Sequence, residues 1–245
     1  MKRTSRKPSR LSESVQRHLN AYALAASAAG VGMLALAQPA EAKVVYTPAG
    51  VVIGTNSFFG IDLNRDGIPD FTIYNSQFLS KSVSINLIQA APNEDGAAVM
   101  TTQGGGYFFS FAALKRGRRV GYGCCFIQAR GILVAQCVSA HGTNSAPPCS
   151  GETYNTIGHW ANVKNRYLGV EFPIHGKTHY GWARLNVEVS RKPFKATAIL
   201  TGYAYETIPG KAIITGKTKG PDVITLDPGS LGALAAGTST RHGGK

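Results

Sequence analysis

The sequence predicts an all-β protein, an antiparallel β-sandwich with a jelly-roll-like arrangement of strands. Apolar and polar residues alternate with a period of two in several segments, which is the pattern of strands buried on one face. Gly, Pro, Asn and Ser interrupt these segments at short intervals, as they do in β-sandwiches. No segment after residue 42 has a convincing helical period, and the sequence has no internal repeat. Together these observations indicate a sandwich and argue against a propeller or another repeat array.

Three zones follow one another along the predicted sandwich. Residues 43–111 hold the first strands and an acidic motif. Residues 112–164 are rich in Gly, Ser, Asn and Cys, which predicts a loop-rich excursion. Residues 165–216 hold the clearest hairpin, and its turn is expected at residues 175–178. Each zone is too small to be stable alone, so we expect all three to share one core.

The first 42 residues predict a secretory signal peptide with a short apolar helix. Basic residues precede an alanine-rich apolar run from Leu19 to Ala37, and small residues at Ala40 and Ala42 complete a cleavage site. We expect cleavage after Ala42 and a secreted or cell-surface location. An uncleaved signal anchor is the alternative, although the run is barely long enough to span a bilayer.

Removal of the leader leaves one domain over residues 43–216 and a flexible tail over residues 217–245. The 203 residues after the leader carry 20 basic and 11 acidic side chains, a net charge of +9. This charge favours an anionic partner, such as an acidic polysaccharide or a component of the cell envelope. The densest basic patch, residues 115–119, is either a docking site for an anionic polymer or a solvated loop. No basic cluster contains interleaved aromatic residues, so specific nucleic-acid recognition is not expected.

Residues 62–70, which read DLNRDGIPD, form the most informative motif and are named the acidic loop. Oxygen-bearing side chains recur at every second position, and this spacing can wrap carboxylates and an amide around one hard cation. Strand-like segments flank the loop, and Ile73 stands where an EF-hand has its bidentate Glu, which argues against a calcium sensor. Three of the 11 acids after the leader lie in this loop, and clustered carboxylates repel one another unless a cation or protons neutralise them. The alternative is a surface turn held by Asx hydrogen bonds without a metal.

The acidic loop resembles the calcium loops of dockerins, thrombospondin type 3 repeats and extracellular β-propeller repeats. The resemblance covers nine residues. It implies a structural Ca²⁺ as the cofactor. The implied ligands are the side chains of Asp62, Asn64, Asp66 and Asp70 and the backbone carbonyl of Ile68.

The cysteines predict two disulfides. Cys124, Cys125, Cys137 and Cys149 fall within 26 residues, and an even number of cysteines in an exported chain usually forms disulfides. Adjacent cysteines are geometrically poor partners for each other, so we expect Cys124 and Cys125 each to pair with Cys137 or Cys149, in either combination. A zinc site is disfavoured, because it needs two close ligand pairs and the sequence has one.

Aromatic residues on neighbouring strands form a second candidate site. If these strands pair, their outer face becomes an aromatic strip on which sugar rings can stack, which predicts a carbohydrate-binding module. The alternative is that this face packs against another layer and that the aromatic residues belong to the core. The residues concerned are Tyr167, Tyr180, Trp182, Arg184, Tyr203 and Tyr205.

The sequence lacks the usual signatures of catalysis. It has no nucleophile elbow, zinc-protease helix, P-loop or dinucleotide fingerprint. A glycoside hydrolase needs two facing carboxylates, and nothing in the sequence pairs Glu171, Glu188 or Glu206. An exported hydrolase is therefore the weakest of the functional hypotheses.

The whole chain resembles secreted β-rich proteins of bacteria that carry sorting-type tails. The resemblance rests on residues 44–48 (VVYTP), 180–184 (YGWAR) and 202–207 (GYAYET). The tail after residue 226 is similar to PEP-CTERM tails, although it lacks their Pro-Glu-Pro signature. This resemblance implies no activity. We therefore expect an exported, non-catalytic surface or matrix protein with a structural Ca²⁺, and a carbohydrate-binding module or a hydrolase as the alternatives.

Overall fold

A computed structural model describes residues 43–101, 110–139 and 154–226. All of them belong to one unit, Ala42–Lys245, and they form strands and turns without a helix. Within this part of the chain there is accordingly no helix that could cross a membrane. The predicted signal peptide, residues 1–42, lies outside the described residues, as do Cys149 and the end of the predicted tail.

Fourteen strands form in the described ranges. In chain order they are β1 (Val44–Ile53), β2 (Ser57–Ile61), β3 (Phe71–Leu79), β4 (Val83–Pro92), β5 (Ala98–Met100), β6 (Arg119–Val120), β7 (Phe126–Ile127), β8 (Gly131–Ser139), β9 (Tyr154–Ile157), β10 (Val163–Ile174), β11 (Lys177–Arg191), β12 (Phe194–Glu206), β13 (Ile213–Ile214) and β14 (Val223–Thr225).

The strands build two large sheets and one small sheet. The seven-stranded sheet has the order β14-β1-β12-β11-β10-β5-β7, the five-stranded sheet has the order β2-β3-β4-β8-β9, and β6 pairs with β13. β14 pairs with β1 in parallel, whereas the other paired strands are antiparallel. The predicted all-β sandwich is thus confirmed. It has more strands than a jelly roll, and the runs β2-β3-β4 and β10-β11-β12 are meanders.

The main hydrophobic core lies between the two large sheets. Phe71 of β3 and Phe172 of β10 are fully buried there, with ring centroids 6.5 Å apart. Burial of each such side chain contributes roughly 1.5–3 kcal/mol to folding. A polar link joins the same two layers, because the Asn75 amide donates hydrogen bonds to the carbonyl oxygens of Ile53 (3.0 Å) and Ala196 (2.9 Å).

A second core covers the other face of the seven-stranded sheet. Trp182 of β11 is fully buried there, and the ring of Tyr167 stands edge-on to it at a centroid distance of 5.1 Å. Val120 of β6 and Ile213 of β13 pack onto this cluster from the small sheet. The seven-stranded sheet is therefore buried on both faces in this region.

The predicted hairpin forms at the expected turn. β10 ends at Ile174 and β11 begins at Lys177, so the turn consists of His175 and Gly176. Both residues have positive φ, 49° and 72°, as a two-residue turn that follows the twist of its strands requires. The alternating segments around the acidic loop are also strands, as predicted.

Two segments expected to be irregular contain strands. The predicted excursion at residues 112–164 contains β8, an almost completely buried strand between β4 and β9. Its continuous apolar run lacks period-two alternation because both of its faces are covered. The predicted tail contains β14, whose β-branched residues extend the sheet beside β1, and the N–H of Leu226 donates to the carbonyl of Tyr46 (2.8 Å). The domain therefore extends beyond residue 216.

Candidate metal centre

The acidic loop joins β2 to β3 at the end of a tightly paired hairpin. Ile61 pairs with Phe71, and the N–H of Asp70 donates to the Ile61 carbonyl at 2.9 Å, which closes the base of the loop. Leu63 extends from the loop into the main core. Gly67 adopts φ 93°, the left-handed conformation that the bend requires. The strands and the buried Leu63 make the loop a rigid end of a hairpin rather than a hinge.

The Asx hydrogen bonds of the metal-free alternative are present. The Asp62 carboxylate accepts from the N–H groups of Arg65 (2.6 Å) and Gly67 (2.9 Å). The Asp66 carboxylate accepts from the N–H of Ile68 (2.8 Å). A carboxylate oxygen that accepts one N–H keeps a second lone pair, so these bonds do not exclude a metal.

Asp70 is the exceptional member of the loop, because its side chain is completely buried. Its Oδ2 accepts a 2.6 Å hydrogen bond from the N–H of Leu63. Its Oδ1 is also buried and has no hydrogen-bond partner among the described residues. A buried, unsatisfied carboxylate oxygen costs free energy unless a proton or a cation reaches it.

The electrostatic surroundings of Asp70 oppose its ionisation. The pKa of Asp70 is raised from 3.8 to about 7, mainly by burial and in addition by the negative charges of Glu94, Asp62 and Asp66, against the lowering effect of the hydrogen bond from the Leu63 N–H. A bound divalent cation would offset these negative charges and favour the ionised form of Asp70.

Glu94 and Asn93 belong to this site, although the sequence did not single them out. The N–H of Asn93 donates to the Asp70 carbonyl at 2.9 Å, and the Asn93 amide donates to the Pro69 carbonyl at 3.0 Å. These bonds hold the turn after β4 against the acidic loop, which brings the charge of Glu94 near Asp70. The signal in the sequence is the acidic turn NEDG at residues 93–96, but no spacing rule connects it to a loop 24 residues earlier.

The donor set suits a hard cation. The loop offers carboxylate and amide oxygens, the ligands that Ca²⁺ prefers, and no sulfur or imidazole. Across the described ranges, no three His, Cys, Asp or Glu side chains already converge on one metal position. Binding would therefore require the loop's side chains to turn toward a shared ion, with Asn64 and a backbone carbonyl completing the oxygen set. The buried Oδ1 of Asp70, which lacks a hydrogen-bond partner among the described residues, is the observation that fits a bound Ca²⁺.

Comparisons with known proteins supply no relative of this chain. No protein-family model, no curated protein and no solved structure matches it. The resemblance of the acidic loop to calcium loops therefore stays a prediction that rests on nine residues and on the geometry above.

The predicted aromatic strip is not an open surface. Tyr167, Tyr180 and Trp182 belong to the second core, whereas Tyr203 and Tyr205 pack into the main core on the opposite face of the sheet. These aromatic residues therefore pack as the alternative of core packing predicts, rather than forming one exposed strip. The alternation identified the strands correctly, but it does not reveal that the small β6–β13 sheet covers the second face.

Arg184, the remaining residue of the predicted strip, forms hydrogen bonds to β12. Its Nε donates to the Thr201 hydroxyl at 2.7 Å and its Nη2 donates to the Thr201 carbonyl at 2.9 Å. These bonds connect β11 to β12 beside a register shift between Arg184 and Leu185.

The predicted cysteine pairing does not form at Cys124, which is a free thiol. Cys137 is disulfide-bonded. Cys124 and Cys125 directly precede β7 of the seven-stranded sheet, whereas Cys137 lies in β8 of the five-stranded sheet, so the adjacent pair and Cys137 belong to different layers.

Proposed function

We propose that this chain is an exported, non-catalytic surface or matrix protein in which the acidic loop binds a structural Ca²⁺. One observation carries the proposal: Oδ1 of Asp70 is buried with no hydrogen-bond partner among the described residues, in a carboxyl group whose pKa neighbouring acids raise. Asp62, Asn64, Asp66, Asp70 and the carbonyl of Ile68 would hold the ion.

Arg65 lies in the acidic loop itself, yet no cation is among the causes of the pKa shift of Asp70. The ion pairs Lys211–Glu206 and Lys217–Asp222 both lie away from the loop. Clustered carboxylates without a counter-ion destabilise the folded state, whereas a divalent cation converts their repulsion into attraction. A site of this kind stabilises the fold of an exported protein without any chemical step.

The rigidity of the loop supports a structural role rather than a sensing role. Both flanking strands are paired along their length, and Leu63 anchors the start of the loop in the core. A sensor needs an element with two arrangements, such as the helix pair of an EF-hand. The loop with its bound ion would therefore stabilise the connection between β2 and β3.

The positions of Glu171 and Glu188 argue against glycoside hydrolysis by this pair of acids. Glu171 pairs with Tyr180 across the sheet, so eight residues of β11 separate it from Glu188. That distance is roughly 26 Å along a strand, far beyond the spacing of about 5–10 Å that hydrolases use. Glu206 is buried and forms an ion pair with Lys211 at 3.2 Å.

The calcium proposal is tested by titration calorimetry and thermal unfolding of the purified protein with CaCl₂, with MgCl₂ and with a chelator. We expect heat on addition of CaCl₂ and a higher melting temperature, which the chelator reverses. Calcium at about 100 times its dissociation constant should add about 2.7 kcal/mol to the free energy of unfolding.

Variants separate this site from a general charge effect. Asp66→Asn and Asp70→Asn each remove one acid of the site and should abolish the calcium-induced rise in melting temperature. Glu188→Gln removes an exposed acid of β11 and should leave that rise intact. The proposal fails if calcium gives neither heat nor stabilisation, or if all three variants respond alike.

A further inference from the structure

A second charged site lies around the basic patch of residues 115–119, which we name the basic turn. A cavity of about 530 Å³ opens beside this turn. The lining of the cavity combines basic and apolar side chains. The basic ones are Lys115, Arg118, His159 and Arg166, and the apolar ones include Leu114 and Val163. No Asp or Glu of the described chain contributes to its lining. We name this cavity the basic cleft.

Thr215 fixes the conformation of the basic turn. Its hydroxyl donates to the Lys115 carbonyl (2.8 Å) and accepts from the N–H of Arg118 (2.9 Å). Its backbone N–H donates to the Arg118 carbonyl (2.9 Å), and its carbonyl accepts from the N–H of Gly117 (2.9 Å). Thr215 is itself buried. These four hydrogen bonds hold the backbone of the turn, so the exposed side chains of Lys115 and Arg118 extend from a fixed backbone.

The other two side chains of the cleft also come from fixed backbone. Leu114 and Tyr167 exchange two 3.0 Å backbone hydrogen bonds, which places Arg166 beside Lys115. His159 follows Gly158, and the N–H of Trp160 donates to the Leu133 carbonyl. Two distant segments of the chain, residues 112–118 and 159–166, thus meet at one cavity.

A recessed site lined by cations focuses a positive potential and favours an anion. Arg118 and Arg166 each offer a planar guanidinium that can form paired hydrogen bonds to a carboxylate or a sulfate. Neither Arg118 nor Arg166 forms an ion pair within the described ranges. An incoming anion therefore does not have to displace a carboxylate of the protein from them.

We propose that the basic cleft binds the anionic groups of an acidic polysaccharide, with Lys115, Arg118 and Arg166 as the contacting residues. The proposal is independent of the calcium site, because it involves none of its residues. A nucleic acid is less favoured, since no Phe, Tyr or Trp lines the cleft for base stacking. A membrane is less favoured too, since none of the exposed large apolar side chains of the described chain lines the cleft.

The test measures binding of the purified protein to polygalacturonate, which carries carboxylates, to heparin, which also carries sulfates, and to neutral dextran. Two double variants remove cations from the cleft. The first is Arg118→Ala with Arg166→Ala, and the second is Lys115→Ala with Arg118→Ala. Both positions of the second variant are exposed, so it should not disturb folding. Lys177→Ala with Lys195→Ala is the control, since it removes two exposed lysines elsewhere and changes the net charge equally.

At about 50 mM NaCl we expect at least one of the acidic polymers, and not dextran, to bind; about 300 mM NaCl should weaken this binding. Each cleft variant should weaken it at least about tenfold and the control less than about threefold, with unchanged melting temperatures. The proposal is overturned if neither acidic polymer binds, or if cleft and control variants lose affinity equally. It is also overturned if the cleft residues matter more for duplex DNA or for vesicles of phosphatidylglycerol than for the polysaccharides.

Discussion

The N–H of Leu63 donates a 2.6 Å hydrogen bond to one carboxylate oxygen of Asp70, while the other oxygen of the same carboxylate is buried with no partner in the described part of the chain. The Leu63 N–H therefore stabilises the ionised form of Asp70, whereas burial and the neighbouring acids disfavour it. This imbalance makes Asp70 sensitive both to pH and to cations, and the two effects can be measured separately.

In the absence of calcium, the protein should become less stable as pH rises from about 4 to about 7. The pKa of Asp70 is 3.8 in an unfolded chain and about 7 in the folded one, so the unfolded state loses its proton first over this interval. Below both values Asp70 costs nothing, and above both values it destabilises the fold by on the order of 2–4 kcal/mol. Denaturant unfolding with a chelator at several pH values measures the slope.

The Asp70→Asn variant isolates the part of this slope that belongs to Asp70. An amide has nearly the same shape and can still accept the Leu63 N–H, but it does not ionise. The difference in unfolding free energy between the variant and the parent protein should grow in favour of the variant between about pH 4 and pH 7. A difference that stays constant with pH would show that the carboxylate does not pay a burial penalty.

The sequence indicated the acidic loop and its flanking strands because both depend on local patterns, a spacing of oxygen ligands and a period of two. It did not indicate Glu94 or Asn93, since they reach Asp70 through bonds that span more than 20 residues. The expectation of an exposed aromatic strip was not met for a related reason. Alternation shows which side chains of β11 share a face, but not that β6 and β13 cover that face. The basic cleft likewise depends on contacts between distant segments, and only its turn was visible in the sequence.

Trp182→Ala should destabilise the fold rather than remove a binding function. The indole is fully buried, and it packs against the rings of Tyr167 (5.1 Å) and Tyr46 (5.9 Å). Loss of such a side chain costs about 3–5 kcal/mol. Trp182→Phe should cost only about 1–2 kcal/mol, because the lost indole N–H is buried without a hydrogen-bond partner among the described residues. Urea unfolding of the two variants gives both values, and equal losses would argue against a core role.

Gly158→Ala should be far more damaging than Gly117→Ala, although both glycines have positive φ, 97° and 83°. A Cβ at Gly158 would lie 2.3 Å from the Leu133 carbonyl oxygen, whereas a Cβ at Gly117 would meet no atom within 4 Å. We expect a loss of more than about 3 kcal/mol at Gly158, from a clash added to backbone strain. At Gly117 strain alone should cost about 1 kcal/mol. The free energies of unfolding of the two variants test the difference, and similar values would mean that β8 moves away freely.

Thr215→Val should weaken binding of acidic polysaccharide although it changes no charge. Valine keeps the shape of threonine but removes the hydroxyl that bonds to Lys115 and Arg118, so it frees the basic turn and leaves two backbone groups without their partner. The expected cost in unfolding free energy is about 1–3 kcal/mol. Polysaccharide affinity should fall because Lys115 and Arg118 must then be ordered on binding. Thr156→Val, which removes a hydroxyl that bonds to Tyr154 away from the cleft, should leave that affinity unchanged. If Thr215→Val lowers stability but not affinity, the turn's fixed geometry plays no part in binding, and the anion is held by charge alone.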